Sequence, residues 1–335
     1  MEFDVVIVGA GPAGLAAAIR LGQLSAQHDH SVSVAVLEKA AEVGGHSLSG
    51  AILEPAALDE LIPDWQSQGA PVTTQVTDER LSFLTPSKAF TWPHALVPPA
   101  MKNAGNYLVS LGSLCRWLGD QAEALGVEIL PGFPGAGLLH NDTGAVAGVA
   151  SGDFGVGQDG SPGPEFQAGA DIGATITLLG EGCRGSLSRQ VIEQFNLDRH
   201  AQPQTYGLGF KEIWRVEGDD HRPGNVVHTA GWPLSGAGNG SNYGGGFLYA
   251  LEDNQLVVGL VVALDYRNPY LDPFQEFQRF KTHPSIAARL RGAKRLSFGA
   301  RTLVEGGAQA LPKLTFPGGA LIGDGAGFLN AAKNK

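Results

Sequence analysis

The chain has 335 residues, a formal net charge of −10 and 43% hydrophobic residues, which is enough apolar material for one large or two modest domains. Acidic residues outnumber basic ones, 33 to 23, and no basic run with interleaved aromatic residues occurs, so the sequence argues against a nucleic-acid partner. The two cysteines, Cys115 and Cys183, lack the spacing of a zinc or iron–sulfur site, and we predict no metal site in this chain.

Neither a targeting peptide nor a membrane-spanning segment is predicted. The first predicted strand, residues 3–8, begins almost at Met1, which leaves no room for a leader before it. The longest apolar run, 256–264, is rich in valine and much shorter than the roughly 18 residues of a spanning helix. This run predicts a buried strand, and any membrane contact is therefore expected to be peripheral.

A nucleotide-binding turn is predicted at the start of the chain. The β-branched run 5–8 leads into a glycine-rich turn, and the helix-forming run 15–21 follows it. In such a turn the first glycine permits the tight bend, the second lets the backbone approach a pyrophosphate, and the third lets helix and strand pack closely. The alternative is a glycine-rich turn that binds nothing. The cofactor-binding residues predicted here are Gly9, Gly11, Pro12, Ala13 and Gly14.

An acidic residue follows at the spacing that a dinucleotide site requires. Glu38 ends a second predicted strand, 32–37, about two dozen residues beyond Gly14. A carboxylate at this position accepts hydrogen bonds from the ribose hydroxyls of the nucleotide. The strand, turn, helix and acid together are a more specific signal than the glycines alone.

Later segments favour FAD over NAD. After Glu38 the sequence resembles glutathione-reductase-like flavoproteins, in which a Gly-Gly doublet lies beside the adenosine and pyrophosphate. Segment 175–182 resembles the strand and turn that return to the cofactor in mid-chain, and 321–327 resembles the strand–Gly–Asp motif whose carboxylate binds the ribityl chain. The additional cofactor-binding residues predicted from these segments are Lys39, Gly44, Gly45, His46, Gly182, Gly323, Asp324, Gly327 and Asn330.

The middle of the chain predicts a second, antiparallel sheet. Turn-separated strands at 204–214, 228–233, 243–249 and 256–264 alternate in polarity or are short and apolar. The predicted fold class is therefore α/β, with a two-dinucleotide-binding FAD domain built on a parallel sheet and an inserted antiparallel substrate domain. We place the FAD-binding domain at 1–75, 106–200 and 296–335, and the substrate domain at 76–105 and 201–295.

Segment 83–99 is too irregular for a helix and unusually apolar for a loop, with Leu84, Phe90, Trp92 and Leu96 among several prolines. Two interpretations stay open from the sequence. The segment either contacts a membrane surface or is a buried connection.

Several long strings of the sequence are distinctive, namely Gln202-Pro203-Gln204-Thr205-Tyr206-Gly207, Gly231-Trp232-Pro233-Leu234, Tyr243-Gly244-Gly245, Asn268-Pro269-Tyr270 and Pro312-Lys313-Leu314-Thr315-Phe316-Pro317-Gly318-Gly319. They resemble the electron-transfer-flavoprotein:ubiquinone oxidoreductase family, whose members pass electrons from reduced electron-transfer flavoprotein to membrane ubiquinone. The resemblance runs through nearly the whole chain.

The resemblance implies a flavin-dependent oxidoreductase in which the flavin carries the chemistry, so no catalytic side chain is predicted. It implies quinone contact at Gly244 and Gly245, where a flat headgroup approaches the backbone; a bulge or sheet corner is the alternative. The implied partners are ubiquinone and electron-transfer flavoprotein. The implied location is peripheral, on the cytoplasmic face of the bacterial inner membrane or the matrix face of the mitochondrial one.

Family members continue into a ferredoxin-like domain that holds a 4Fe-4S cluster on four cysteines. This sequence ends at Lys335 without those ligands, so we expect a product truncated before the iron–sulfur domain. Two other functions stay open. One is a FAD-dependent reductase or hydroxylase of the geranylgeranyl-reductase type, and the other is an inactive fragment that retains the fold.

Overall fold

A computed structural model describes residues 1–47, 50–217, 221–236 and 240–329. These residues divide into two compact units. The first unit comprises Met1–Ser47, Gly112–Pro203 and Ala308–Phe328, and the second comprises the described residues of 50–111 and 204–307 together with Leu329.

The strands are β1 (Glu2–Val8), β2 (Val34–Glu38), β3 (Ala51–Leu53), β4 (Thr74–Gln75), β5 (Asp78–Leu84), β6 (Ala89–Thr91), β7 (Tyr107–Val109), β8 (Glu128–Pro131), β9 (Gly135–His140), β10 (Val146–Ser151), β11 (Phe154–Val156), β12 (Pro162–Gln167), β13 (Asp171–Leu179), β14 (Tyr206–Arg215), β15 (Asn225–Gly231), β16 (Ser235–Gly236), β17 (Gly240–Ser241), β18 (Gly244–Ala250), β19 (Gln255–Ala263), β20 (Lys294–Val304), β21 (Thr315–Phe316) and β22 (Gly319–Leu321). The helices are α1 (Pro12–Gln27), α2 (Ala56–Leu61), α3 (Leu111–Ala124), α4 (Ser186–Gln194), α5 (Pro273–Thr282) and α6 (Pro284–Ala287). Short 3₁₀ turns lie at His94–Leu96, Pro99–Met101, Ala308–Ala310 and Gly323–Ala326.

The first unit is built on a parallel sheet. Strands β22, β13, β1, β2 and β8 lie side by side in that order, and each neighbouring pair is parallel. The antiparallel pair β9–β10 joins the sheet through β13. Residues Val5 to Val8 of β1 are all buried, because both faces of a parallel sheet are covered. The predicted α/β dinucleotide-binding fold is confirmed.

The second unit is built on a seven-stranded sheet in the order β20-β14-β19-β18-β15-β5-β6. All of its pairs are antiparallel except β5 with β15. One face carries α5 through Phe277 and Phe280, and Asp272 caps that helix by accepting hydrogen bonds from two backbone amides. The other face packs Ile52 and Leu108, from the small sheet β3-β7-β4, against the aromatic and aliphatic side chains of β18 and β19. Run 256–264 is the predicted buried strand, since β19 is buried over most of its length.

The division differs from the boundaries predicted from the sequence. Residues 50–75, 106–111 and 296–307 lie in the second unit, although the sequence placed them in the FAD-binding domain. Strand pairing is the reason. β20 hydrogen-bonds to β14 along its length, and β3 and β4 both pair with β7.

Candidate functional site

The three glycines of the first turn have different structural roles. Gly9 has φ +108, and a Cβ on it would lie 2.5 Å from the Gly180 carbonyl oxygen. A Cβ on Gly14 would collide with the Gly9 carbonyl oxygen. A Cβ on Gly11 would meet no protein atom within 4 Å. Packing of strand and helix therefore requires Gly9 and Gly14, whereas open space lies in front of Gly11.

That open space faces the first turn of α1. Gly11 is the N-cap of the helix, Pro12 occupies its first position, and no acidic side chain lies in the first turn. The amides of a helix N-terminus and its dipole attract an anion. Ala13 is half-buried and Pro12 exposed, so the predicted pyrophosphate site is sterically accessible.

Glu38 is fixed at the carboxyl end of β2. Its two carboxylate oxygens accept hydrogen bonds from the Ala10 amide at 3.0 Å and the Ala40 amide at 2.8 Å. The side chain stays half-buried, and a carboxylate has further lone pairs for ribose hydroxyls. The neighbouring Lys39 is exposed.

The Gly-Gly doublet packs against the start of α3. Gly44 has φ +77, and a Cβ there would collide with the Gly112 carbonyl oxygen. Gly45 and His46 are exposed beside it. The structure thus shows a packing reason for Gly44, and a role of the doublet toward adenosine stays a prediction.

The mid-chain and late segments meet the first turn at the carboxyl ends of the parallel strands. The Gly180 amide donates to the Val8 carbonyl oxygen at 2.9 Å. Gly323 has φ +61 and approaches Ala13 so closely that a Cβ would lie 2.6 Å from the alanine methyl carbon. A Cβ on Gly325 would lie 3.4 Å from the Gly182 carbonyl oxygen.

Asp324 lies within the 3₁₀ turn Gly323–Ala326. Gly327 is the C-cap of this turn and has φ +90. The structure therefore brings four segments together that are far apart in sequence. Asn330 lies outside the described residues.

Sequence reasoning missed one residue of this region. The Glu181 carboxylate accepts hydrogen bonds from the Leu187 and Ser188 amides and from the Ser188 hydroxyl, and it thereby fixes the turn into α4. An acid a few residues before a helix start is the signal that would have revealed it.

In the second unit, the glycines of β18 are required by packing. A Cβ on Gly244, whose φ is +145, would collide with the Val261 carbonyl oxygen, and one on Gly245 would lie 2.6 Å from the Thr229 carbonyl oxygen. A Cβ on Gly246 would collide with the Phe280 ring. β18 pairs with β19 without a register shift, so this pairing contains no bulge. Quinone contact at Gly244 and Gly245 stays a prediction.

Two adjacent charged residues in β14, Lys211 and Glu212, were part of the family resemblance but were assigned no role from the sequence. Glu212 is buried and pairs with Lys281 at 2.8 Å and Arg295 at 3.1 Å, and it accepts a hydrogen bond from the Trp214 indole at 2.9 Å. Lys211 points to the opposite face of the sheet and donates to the Gly50 carbonyl oxygen at 2.7 Å. A Lys-Glu pair inside an otherwise apolar strand is the signal that marks both.

Segment 83–99 exposes its large apolar side chains. Phe83, Phe90, Trp92 and Leu96 have exposed fractions of 43%, 56%, 49% and 63%, whereas Leu84 is buried. The interpretation of the whole segment as a buried connection is wrong. We call the four exposed side chains the apolar lip. Among the described residues, no helix combines the length and the hydropathy needed to cross a bilayer.

Two family models match the sequence. Residues 7–62 match an NAD(P)-binding Rossmann-like domain, and residues 206–303 match the ubiquinone-binding domain of electron transfer flavoprotein-ubiquinone oxidoreductase. The first match covers the nucleotide-binding turn, and the second covers β14 to β19 and most of β20.

Similar proteins extend the match to the whole chain. A probable electron transfer flavoprotein-ubiquinone oxidoreductase of Acinetobacter baylyi is 52% identical over 100% of this chain and 59% of its own length. The Pseudomonas aeruginosa oxidoreductase is 52% identical over 100% of this chain and 60% of its own length. The human mitochondrial oxidoreductase is 51% identical over 100% of this chain and 54% of its own length. The chain thus spans somewhat more than half the length of these relatives.

Solved structures agree on the fold. A geranylgeranyl bacteriochlorophyll reductase-like protein from Thermoplasma acidophilum superimposes with a TM-score of 0.70 and 17% identity, covering 98% of this chain and 72% of that one. A flavoprotein/dehydrogenase from Cytophaga hutchinsonii superimposes with a TM-score of 0.64 and 18% identity, covering 99% of this chain and 73% of that one. At this identity the comparison concerns architecture alone.

Proposed function

We propose that this chain belongs to the electron transfer flavoprotein-ubiquinone oxidoreductase family, that it binds FAD, and that it supplies the FAD and quinone portions of a relay from reduced electron transfer flavoprotein to ubiquinone. The observation that carries the proposal is the match of residues 206–303 to the ubiquinone-binding domain, in a chain whose first unit has the steric features of a dinucleotide site.

The residues present fit FAD. The open space before Gly11 admits a pyrophosphate at the start of α1, and the anchored Glu38 carboxylate has lone pairs for the adenosine ribose. Asp324, in the turn beside Ala13, is assigned to the ribityl chain. When bound, the isoalloxazine ring supplies the electron-transfer chemistry. The chain's own residues bind and orient the cofactor.

The second unit is assigned to ubiquinone and the membrane surface. The apolar lip exposes two phenylalanines, a tryptophan and a leucine on one segment, and such a patch favours contact with a lipid interface. We place the chain as a peripheral protein on the cytoplasmic face of a bacterial inner membrane, or on the matrix face of the mitochondrial one. The 4Fe-4S cluster is not assigned to this chain, whose sequence contains two cysteines.

The test begins with the cofactor. The purified chain is supplied with FAD, passed through a gel-filtration column, and its released flavin is identified and counted. We expect about one FAD per chain. A colourless protein that also rejects added FAD would remove the cofactor assignment.

The second step tests the acceptor. Bound flavin is photoreduced without oxygen and mixed with ubiquinone-1, a short-chain ubiquinone, and flavin absorbance is followed by stopped flow. We expect reoxidation whose rate saturates with quinone concentration. Fast oxidation of NADPH together with no response to ubiquinone-1 would instead favour the reductase or hydroxylase function.

A further inference from the structure

A cavity of about 450 Å³ lies in the second unit, beside the first residues of β5 and β15. Three arginines line it, namely Arg80, Arg222 and Arg289. The acidic residues of the lining are Asp78 and Glu217, so three cations face two carboxylates and the formal balance is +1. The whole chain has a net charge of −10. Positive charge is therefore concentrated in one concave part of an acidic protein, which favours an anionic ligand.

One of the two carboxylates is engaged within the lining. Asp78 pairs with Arg80 at 3.0 Å and accepts a hydrogen bond from the Asn225 amide group at 2.9 Å. The amide oxygen of Asn225 lies 3.5 Å from a guanidinium nitrogen of Arg289. The second carboxylate, Glu217, is exposed and forms none of the ion pairs among the described residues. Asp78 therefore neutralises Arg80 and leaves the other two arginines of the cavity.

Arg222 and Arg289 have no anionic partner within the described part of the chain. None of the ion pairs within 4 Å includes either guanidinium, and the acidic residues 219 and 220 lie outside the described residues. Partial withdrawal from water and the charge of Arg80 lower the pKa of Arg289. A guanidinium nevertheless stays protonated in a protein. An anion that reaches both arginines would compensate this charge.

We propose that this cavity binds a phosphate group through the guanidinium groups of Arg222 and Arg289. Each guanidinium presents its N–H donors as a planar fork that matches two phosphate oxygens. A phosphate monoester has three such oxygens and can therefore engage two forks, whereas one fork already satisfies the two oxygens of a carboxylate. The inference depends on neither FAD nor quinone binding and goes beyond the proposed function.

A phosphate group could come from a soluble phosphate ester or from a phospholipid headgroup. Arg80 lies three residues before Phe83 of the apolar lip in β5, which is roughly 10 Å along a strand. A headgroup at a lipid surface is therefore one source, and a small soluble phosphate ester is the other. The cavity recognises the same chemistry in both, so the two sources are separated by experiment.

Isothermal titration calorimetry at low ionic strength measures the binding of inorganic phosphate and of glycerol 3-phosphate to the purified chain. We expect Arg222→Gln and Arg289→Gln each to weaken binding about ten- to a hundred-fold, because each removes a charge-assisted hydrogen bond. Arg267→Gln serves as the matched control. It removes the same charge from an exposed arginine outside the lining and should bind phosphate as the wild type does.

The melting temperature of each variant separates loss of the ligand from loss of the fold. Arg222 and Arg289 are exposed and belong to none of the ion pairs of the described residues. Both variants should therefore melt at the wild-type temperature, and their FAD content should equal that of the wild type.

Co-sedimentation with vesicles distinguishes the two sources. Vesicles of phosphatidylcholine alone are compared with vesicles that also contain phosphatidic acid, whose headgroup is a phosphate monoester. If the source is a lipid, phosphatidic acid should increase sedimentation of the wild type and of Arg267→Gln but not of Arg222→Gln or Arg289→Gln. If the source is a soluble ester, the three variants should sediment alike, and calorimetry alone should separate them.

Wild-type affinity for both phosphate probes, together with wild-type sedimentation, in Arg222→Gln and Arg289→Gln would overturn the inference. Equal weakening in Arg267→Gln would also overturn it, since binding would then reflect the general charge of the surface. A wild-type chain that binds neither inorganic phosphate, glycerol 3-phosphate nor phosphatidic acid would have the same consequence. None of these results bears on FAD or ubiquinone, so the proposed function stands or fails separately.

Discussion

Exchanging two glycines of the same turn for alanine should lower the stability of the protein without cofactor to different extents. At Gly14 the new methyl group collides with the Gly9 carbonyl oxygen, and overpacking of this kind costs about 1–3 kcal/mol. At Gly11 the methyl group enters open space and the backbone is extended, with φ −81 and ψ 177. We therefore expect Gly11→Ala to lower the free energy of unfolding by no more than about 1 kcal/mol.

Added FAD should stabilise the two variants to different extents. The methyl group that Gly11→Ala introduces occupies the approach of the pyrophosphate, so we expect the loss of one hydrogen bond between the backbone and the phosphate. Loss of one hydrogen bond to a charged group weakens binding by roughly 1.5–3 kcal/mol, or about ten- to a hundred-fold. At a FAD concentration about 100 times the wild-type Kd, the wild type gains about 2.7 kcal/mol of stability. Gly11→Ala, if it binds a hundred-fold more weakly, gains only about 0.4 kcal/mol.

Urea unfolding with and without FAD, followed by tryptophan fluorescence, measures both effects. Gly14→Ala should show a lowered midpoint in the absence of FAD, whereas Gly11→Ala should show a near-normal midpoint that FAD hardly raises. A Gly11→Ala protein that gains as much from FAD as the wild type would refute the assignment of the pyrophosphate to this turn.

Three other outcomes are expected. Glu212→Gln should destabilise the second unit by about 3–5 kcal/mol in urea, because Lys281 then loses its buried partner; an unchanged midpoint would show that the ion pair contributes little. Burial raises the pKa of the Cys115 thiol to about 11, so at pH 8 roughly one thiol in a thousand is ionised. Iodoacetamide should therefore label this residue only after unfolding. Labelling within minutes in the native protein would contradict its burial. The double variant Trp92→Ser, Leu96→Ser should reduce co-sedimentation with phospholipid vesicles at an unchanged melting temperature, and undiminished co-sedimentation would separate the apolar lip from membrane contact.

The sequence by itself determined those parts of the fold that depend on residues close together in the chain. The order of strand, Gly-rich turn, helix and acid at 5–38 is written in consecutive residues, since a tight turn, a helix N-terminus and a strand end each have their own short pattern. The α/β class and the buried strand at 256–264 followed for the same reason, and the structure confirms both.

Only the tertiary structure decided what each glycine and charge faces. Gly11 and Gly14 look alike in the sequence, and the nearby Gly9 carbonyl oxygen distinguishes them. Lys211 and Glu212 are neighbours in the sequence, yet Glu212 pairs with Lys281 from α5, whereas Lys211 donates a hydrogen bond to the carbonyl oxygen of Gly50, 161 residues away. Such contacts depend on strands that pair across long stretches of chain, and no local pattern encodes them. The same long-range pairing placed 296–304 in the second sheet, where the order of motifs along the chain had not indicated it.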